Sequence, residues 1–117
     1  MSRQIVAKLT SLDSSYTLGA SLRQLRAARK LPLRSVAAAT EIDSTLLSKI
    51  ELSQRLPTEE QTRAFAAFFE VSFEDMEAKR LAERFWMENG DNPAVHKAVN
   101  LLREQTTDYK TKRNADI

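Results

Sequence analysis

Three hydroxyl side chains and one amine lie close together between Ser44 and Leu52, and their types suit hydrogen bonding to a polar surface. At helical spacing they fall on one side of the stretch, opposite Leu47 and Ile50. That polar side carries Ser44, Thr45, Ser48 and Lys49. Small hydroxyls and one long cation can approach the floor of a DNA major groove closely. The alternative is an ordinary amphipathic helix whose outer side only meets water.

The sequence offers no constellation of residues for catalysis. It contains one histidine, His96, and no cysteine, no glycine-rich phosphate loop and no pair of carboxylates beside a base. His96 is expected to be a surface residue. Without cysteine the chain can form neither a disulfide nor a thiolate metal site. We therefore expect no enzymatic activity and no cofactor.

A second short helix, predicted over Leu33 to Thr40, has to position the polar side of the Ser44–Leu52 stretch. About three residues separate the two helices, and so tight a connection is typical of a helix-turn-helix. Ala37 is small and lies on the inner side of the Leu33–Thr40 helix, which lets the Ser44–Leu52 helix cross close to it. The angle between the helices is filled by Val36, Ile42, Leu47 and Ile50.

The run from Leu33 to Glu51 resembles the lambda-repressor-like, Cro-type (XRE) helix-turn-helix proteins. It reads Leu-Arg-Ser-Val-Ala-Ala-Ala-Thr-Glu-Ile-Asp-Ser-Thr-Leu-Leu-Ser-Lys-Ile-Glu, and its last five residues are the most specific part. The resemblance extends from about Leu18 to about Phe73. It implies a five-helix lambda-repressor-like domain and double-stranded DNA as the partner. The residues beyond that span are not covered by the resemblance and are predicted to form a C-terminal helical extension, so the fold class is all-α.

The resemblance also implies roles for individual side chains. Three residues align with base-contacting positions: Ser44, Thr45 and Lys49. Three others are expected to contact DNA phosphates: Arg34, Ser48 (or a water in its place) and Arg55. The family commonly has Gln at the position of Arg34, and an arginine can make the same contact with a full charge. The alternative for Arg34 is an arginine that only meets solvent.

The chain departs from the family pattern on both sides of the Ser44–Leu52 helix. Glu41 stands where the family usually has a glycine with positive φ. Either Glu41 adopts that conformation at a cost of about 1 kcal/mol, or the turn takes another shape. Leu52 and Ser53 replace the polar residue and glycine that usually end the helix. Leu46 can pack on the core or contact a thymine methyl, and core packing is favoured. Glu51 is expected to form a local ion pair.

Composition and charge agree with a helical, nucleic-acid-binding chain. Two glycines and three prolines in 117 residues favour helices over sheets. Residues 1–57 hold nine basic and four acidic side chains, residues 58–78 hold one and six, and residues 79–117 hold eight and six. The basic excess therefore coincides with the predicted DNA-binding segment. The alternative is chance clustering on a solvated surface.

The rest of the chain is predicted as an arm and four further helices, the first of which runs from Leu18 to Lys30. Residues 1–17 form an N-terminal arm, residues 18–73 the DNA-binding domain, and residues 74–117 a helical extension. Thr58 to Gln61 reads as a capping box for a helix that ends near Glu70. The next helix runs from Ser72 to about Glu88, and its apolar residues are Phe73, Met76, Leu81 and Phe85.

A last helix begins at Asn92-Pro93, and the tail from Thr106 is predicted to be disordered. A lone helix of this length is marginal in water, so it has to pack on the domain or on a second subunit. The residues expected to contact a second copy or a partner protein are Phe85, Trp86, Val95, Val99 and Leu102.

These features predict a sequence-specific transcriptional regulator, a repressor that binds an inverted-repeat operator as a homodimer. The alternative is the antitoxin of a toxin–antitoxin pair, or a restriction–modification controller, that binds a partner protein and regulates its own synthesis. No apolar run approaches the ~20 residues that span a bilayer, so no membrane association is expected. The lack of a signal peptide and of cysteine suits the cytoplasm.

Overall fold

The computed structural model describes residues 16–115, with side chains up to residue 107. This part of the chain forms six α-helices and no strand. The helices are α1 (Leu18–Ala28), α2 (Leu33–Thr40), α3 (Ser44–Glu51), α4 (Glu59–Phe69), α5 (Phe73–Asn89) and α6 (Val95–Ala115). The predicted all-α helix-turn-helix fold with helices beyond it is therefore confirmed. Most of the predicted N-terminal arm lies outside the described residues.

The chain divides within α5 into two compact units, Met1–Arg84 and Phe85–Ile117. The first unit contains the hydrophobic core, to which α1 to α5 all contribute. Its most deeply buried apolar side chains are Leu18, Leu22, Val36, Leu47, Ile50, Phe65, Phe69 and Met76. Phe65 and Phe69 supply the largest apolar area to this core, as their spacing on α4 predicts. Leu81, which we expected to join them, is 51% exposed on α5.

The N-termini of α1 and α4 are capped by side chains close to them in the sequence. Thr17 accepts a hydrogen bond from the N–H of Ala20 at the start of α1. The predicted capping box is present, since Thr58 and Gln61 each bond the other's backbone N–H at the start of α4. Such caps satisfy N–H groups that have no partner within the helix.

The first four helices each end just before a residue with left-handed backbone. These residues are Lys30, Glu41, Ser53 and Glu70, with φ between 54° and 61°. None of them is a glycine, and both glycines of the chain lie elsewhere. A side chain in this conformation costs about 1 kcal/mol, so each helix end carries a small strain.

Helix α6 belongs to the second unit and is longer than the sequence predicted. It runs to Ala115, whereas we expected disorder from Thr106. Residues 106–115 contain neither glycine nor proline, so nothing in the sequence stops the helix. The hydroxyl of Thr106 donates to the carbonyl of Leu102 within the helix (2.8 Å). Asn92 Oδ1 accepts from the N–H of Ala94 just before α6 begins (2.9 Å).

None of the helices in the described part of the chain is both long enough and apolar enough to cross a membrane.

Candidate nucleic-acid interface

The position of helix α3 is fixed by the Asp43 cap at its N-terminus and by the packing of its apolar side in the core. Asp43 Oδ1 accepts hydrogen bonds from the N–H groups of Thr45 (2.8 Å) and Leu46 (3.3 Å). Leu47 and Ile50 are buried almost completely in the core. Because these two residues fix the rotation of the helix, its opposite side is directed to solvent.

That opposite side is the surface that the sequence predicted to contact DNA. We call it the recognition face, and its members are Ser44, Thr45, Ser48 and Lys49. Ser44, Thr45 and Lys49 are exposed, and Ser48 is half-buried. Hydroxyls can donate to or accept from base edges and phosphates, and an amine can donate to guanine O6 and N7. Leu46 packs partly against the core, as the sequence analysis favoured.

Two exposed arginines lie on the segments that precede and follow α3. Arg34 is in the first turn of α2, and Arg55 is in the loop between α3 and α4. In the described part of the chain, the side chains of Arg34, Lys49 and Arg55 make no hydrogen bond or ion pair with another residue. Their charges are therefore available to an external anion such as a DNA phosphate.

Two other arginines of the basic segment are used inside the fold. Arg29 donates to the carbonyls of Phe68 (3.3 Å) and Phe69 (2.8 Å) at the end of α4, and its guanidinium lies 5.3 Å from the ring centre of Phe69. Arginine near a helix C-terminus satisfies carbonyls that lack a partner within the helix. The basic excess of residues 1–57 is thus partly structural.

Arg26 is the second of these arginines, and it links α1 to the C-terminal end of α3. Its Nε and Nη2 donate to the two carboxylate oxygens of Glu51 at 2.8 and 2.9 Å, and its Nη1 donates to Leu31 O at 2.9 Å. The hydrogen bond with Glu51 raises the pKa of Arg26, while burial opposes it. The ion pair expected for Glu51 is present, but it is not local. Its partner lies 25 residues away on α1, because α1 and α3 pack together.

The turn between α2 and α3 takes the shape that the family pattern requires, although it lacks the glycine. Glu41 has φ 57° and ψ 35°, and the N–H of Ile42 donates to Ala37 O at 3.0 Å. The buried Thr40 hydroxyl donates to Val36 O at 2.7 Å. The departure at Glu41 therefore strains the turn without reshaping it.

Gly19 allows α1 and α3 to approach each other, a role that the helix-turn-helix pattern of the sequence does not predict. A Cβ atom at Gly19 would lie 3.0 Å from the carbonyl oxygen of Glu51 and closer still to that of Ile50. No side chain fits in that space, so only glycine permits this crossing. A glycine inside a helix was the available signal, since it weakens the helix unless packing requires it.

The residues predicted to contact a second copy or a partner all lie in the second unit, and their side chains differ in how exposed they are. Trp86 is 56% exposed, Leu102 53% and Val99 39%, whereas Phe85 is half-buried. Val95 is only 5% exposed, so little of its side chain is accessible to a second chain. It lies at the start of α6, where it is packed within the chain. The available apolar surface therefore begins one turn later.

Comparison with known proteins agrees with this geometry. A family model described as a helix-turn-helix domain matches residues 17–79, which includes α1 to α4 and the first part of α5. No curated protein and no solved structure gave a significant match.

Proposed function

Because the chain belongs to the helix-turn-helix domain family, which indicates a DNA-binding regulator, we propose that it represses transcription by binding an inverted-repeat operator as a symmetric dimer. The observation that carries this proposal is the recognition face of α3. It is exposed, it holds hydroxyls and one amine, and the Arg26–Glu51 ion pair joins its helix to α1. A rigid helix that presents polar groups outward is what the major groove accepts.

Within this proposal the side chains divide into two groups by role. Ser44, Thr45 and Lys49 contact base edges, which gives sequence preference. Arg34, Ser48 and Arg55 contact phosphates, which sets the position of the domain on the duplex without reading sequence. Both arginines have unpaired charges in the described structure, which favours their use on DNA.

The exposed apolar side chains of the second unit support dimerisation. Val99 and Leu102 lie three residues apart on α6 and so share one side of the helix, and Trp86 presents a large ring on α5. Burying such side chains against a second copy removes apolar surface from water. A two-fold dimer would place its two recognition helices in successive major grooves, ~34 Å apart.

The test is selection of binding sites from a random DNA pool, with the protein's mass in solution measured on the same sample. The proposal predicts an enriched inverted repeat with half-sites about one helical turn apart, and a dimer mass. A folded protein that enriches no sequence would contradict DNA recognition. A monomer mass on an enriched single half-site would contradict only the dimer.

A second candidate function rests on the same exposed apolar residues. In an antitoxin or a restriction–modification controller they would contact a partner protein, and DNA binding would regulate the pair's own synthesis. This candidate predicts that a co-encoded protein forms a complex with the chain and tightens its binding to the selected site. A homodimer whose DNA affinity is unchanged by that protein would contradict it.

A further inference from the structure

Leu52 is the one side chain beside the recognition face that neither the core nor the proposed DNA contacts explain. It caps the C-terminal end of α3, where its backbone N–H donates to Ser48 O at 3.0 Å. Its side chain is 54% exposed, an unusual state for a leucine on a surface otherwise made of hydroxyls and cations. Single exposed leucines are common, so its exposure alone decides nothing.

The position of Leu52 on the helix gives this exposure a meaning. Leu52 follows Lys49 by three residues and Ser48 by four, and at these spacings helical side chains lie on the same side. Its backbone angles, φ −84° and ψ 4°, keep it close to the helical path. Together with Ser48, it lines a cleft of about 200 Å³ that is also lined by Arg23 of α1 and by the Arg26–Glu51 pair. Leu52 therefore extends the recognition face by one turn.

The length of the extended face is compatible with a single groove. From Thr45 to Leu52 the helix rises ~10 Å at 1.5 Å per residue. The major groove is ~12 Å wide. A helix that places Thr45 and Lys49 on the groove floor therefore keeps Leu52 within reach of the same groove.

We propose, on the basis of the proposed function, that Leu52 contacts the 5-methyl group of a thymine and sets a preference for thymine at one position of each half-site. A leucine side chain cannot satisfy a phosphate oxygen, and pressing one against it would remove water without replacing the hydrogen bonds. In the major groove the apolar group that base pairs present is the thymine methyl. Lys49, three residues before Leu52, and the exposed Arg23, which lines the same cleft as Leu52, place positive charges beside it that can contact phosphates.

The experiment compares site selection by the full-length wild type, Leu52→Ala and a control, Leu81→Ala. Leu81 is a leucine of similar exposure, 51%, on α5 and away from α3. The proposal predicts that Leu52→Ala loses the preference for thymine at one position per half-site and keeps the rest of the motif. Leu81→Ala should select the wild-type motif.

Deoxyuridine, which lacks only the methyl group, then identifies the contact. Placed at that position, it should weaken wild-type binding about fourfold per half-site, as expected for one methyl group that stays in water. It should leave the affinity of Leu52→Ala unchanged. Equal weakening of all sequences by Leu52→Ala would indicate contact with the sugar–phosphate backbone and would overturn the proposal. An unchanged motif for Leu52→Ala would overturn it as well, whereas a wild type without any enriched site would overturn the proposed function itself.

Discussion

Glu83 of α5 caps the first turn of α1, because its Oε2 accepts a hydrogen bond from the backbone N–H of Leu18 at 2.7 Å. The two residues are 65 positions apart, and Glu83 lies beyond the span that matches the helix-turn-helix family, residues 17–79. A carboxylate at a helix N-terminus satisfies an N–H that has no partner within the helix and complements the helix dipole. The extension of α5 thus supports the helix on which α3 rests.

Stability should depend on pH through Glu83. Burial raises the pKa of this carboxyl above its ordinary value of 4.5, and the hydrogen bond from Leu18 and the nearby Lys79 only partly offset that rise. The folded state therefore binds the Glu83 proton more tightly than the unfolded state does. Ionisation of Glu83 consequently lowers the free energy of unfolding as pH rises through the range just above 4.5. Glu83→Gln keeps an acceptor and removes the titration. Urea unfolding at pH 4 and pH 7 should show wild type losing stability relative to Glu83→Gln on going to pH 7. The opposite trend would mean that the bond with Leu18 outweighs burial.

Gly19→Ala should destabilise the first unit by ~1–3 kcal/mol, because the added Cβ meets the Ile50 and Glu51 carbonyls and forces α1 away from α3. Helix propensity alone would favour this substitution by ~1 kcal/mol, so the two effects have opposite signs. Chemical unfolding measures the outcome. A variant as stable as wild type would show that the helices do not cross as closely as described.

Breaking the Arg26–Glu51 ion pair should cost far more than breaking an exposed one. The Glu51 side chain is 6% exposed and that of Arg26 19%, so Glu51→Gln leaves a largely buried guanidinium without its carboxylate, at roughly 3 kcal/mol. The matched control is Glu59→Gln, which removes the pair with Arg63, whose side chains are 55% and 60% exposed. That variant should lose under ~1 kcal/mol. Similar losses for both variants would contradict the role of Arg26 as the support of α3.

Replacing strained residues with glycine should stabilise the fold. Glu41 has φ 57° in the turn between α2 and α3, and Glu41→Gly should gain ~0.5–1 kcal/mol, since relief of strain exceeds the added freedom of the unfolded chain. Glu70→Gly should act similarly after α4. The control is Glu60→Gly inside the first turns of α4, which should lose up to ~1 kcal/mol. Thermal melting distinguishes these signs, and a loss at Glu41 would imply that its side chain has a contact of its own.

Lys49 and Arg34 should affect DNA binding in different ways. Lys49→Ala should relax base preference and lose roughly 1–3 kcal/mol on the best site, because an amine on a base edge is a specific contact. Arg34→Ala should weaken all sequences about equally and reduce the dependence of affinity on salt, as expected for a phosphate contact. Affinity for the selected and scrambled sites at several salt concentrations separates the two. An intact site preference in Lys49→Ala would mean that other residues contact the bases.

Local features of this protein follow from the sequence by itself. The bounds of α2 and α3 and the Thr58–Gln61 capping box depend on residues within a few positions of each other. Their spacing and side-chain chemistry therefore predict them. The family pattern adds the helix-turn-helix and the residues of the recognition face.

Contacts between distant residues required the tertiary structure. No local pattern pairs Arg26 with Glu51, sets Gly19 against Ile50 or brings Glu83 to the start of α1, because each depends on how helices cross. Exposure is decided in the same way. Leu81 and Leu52 read as apolar in the sequence, yet both are half exposed, since burial depends on whether another helix packs against that side. The order of the helices could thus be predicted from the sequence. The contacts that hold α3 against α1 and the extent of its exposed face depend on how the helices pack.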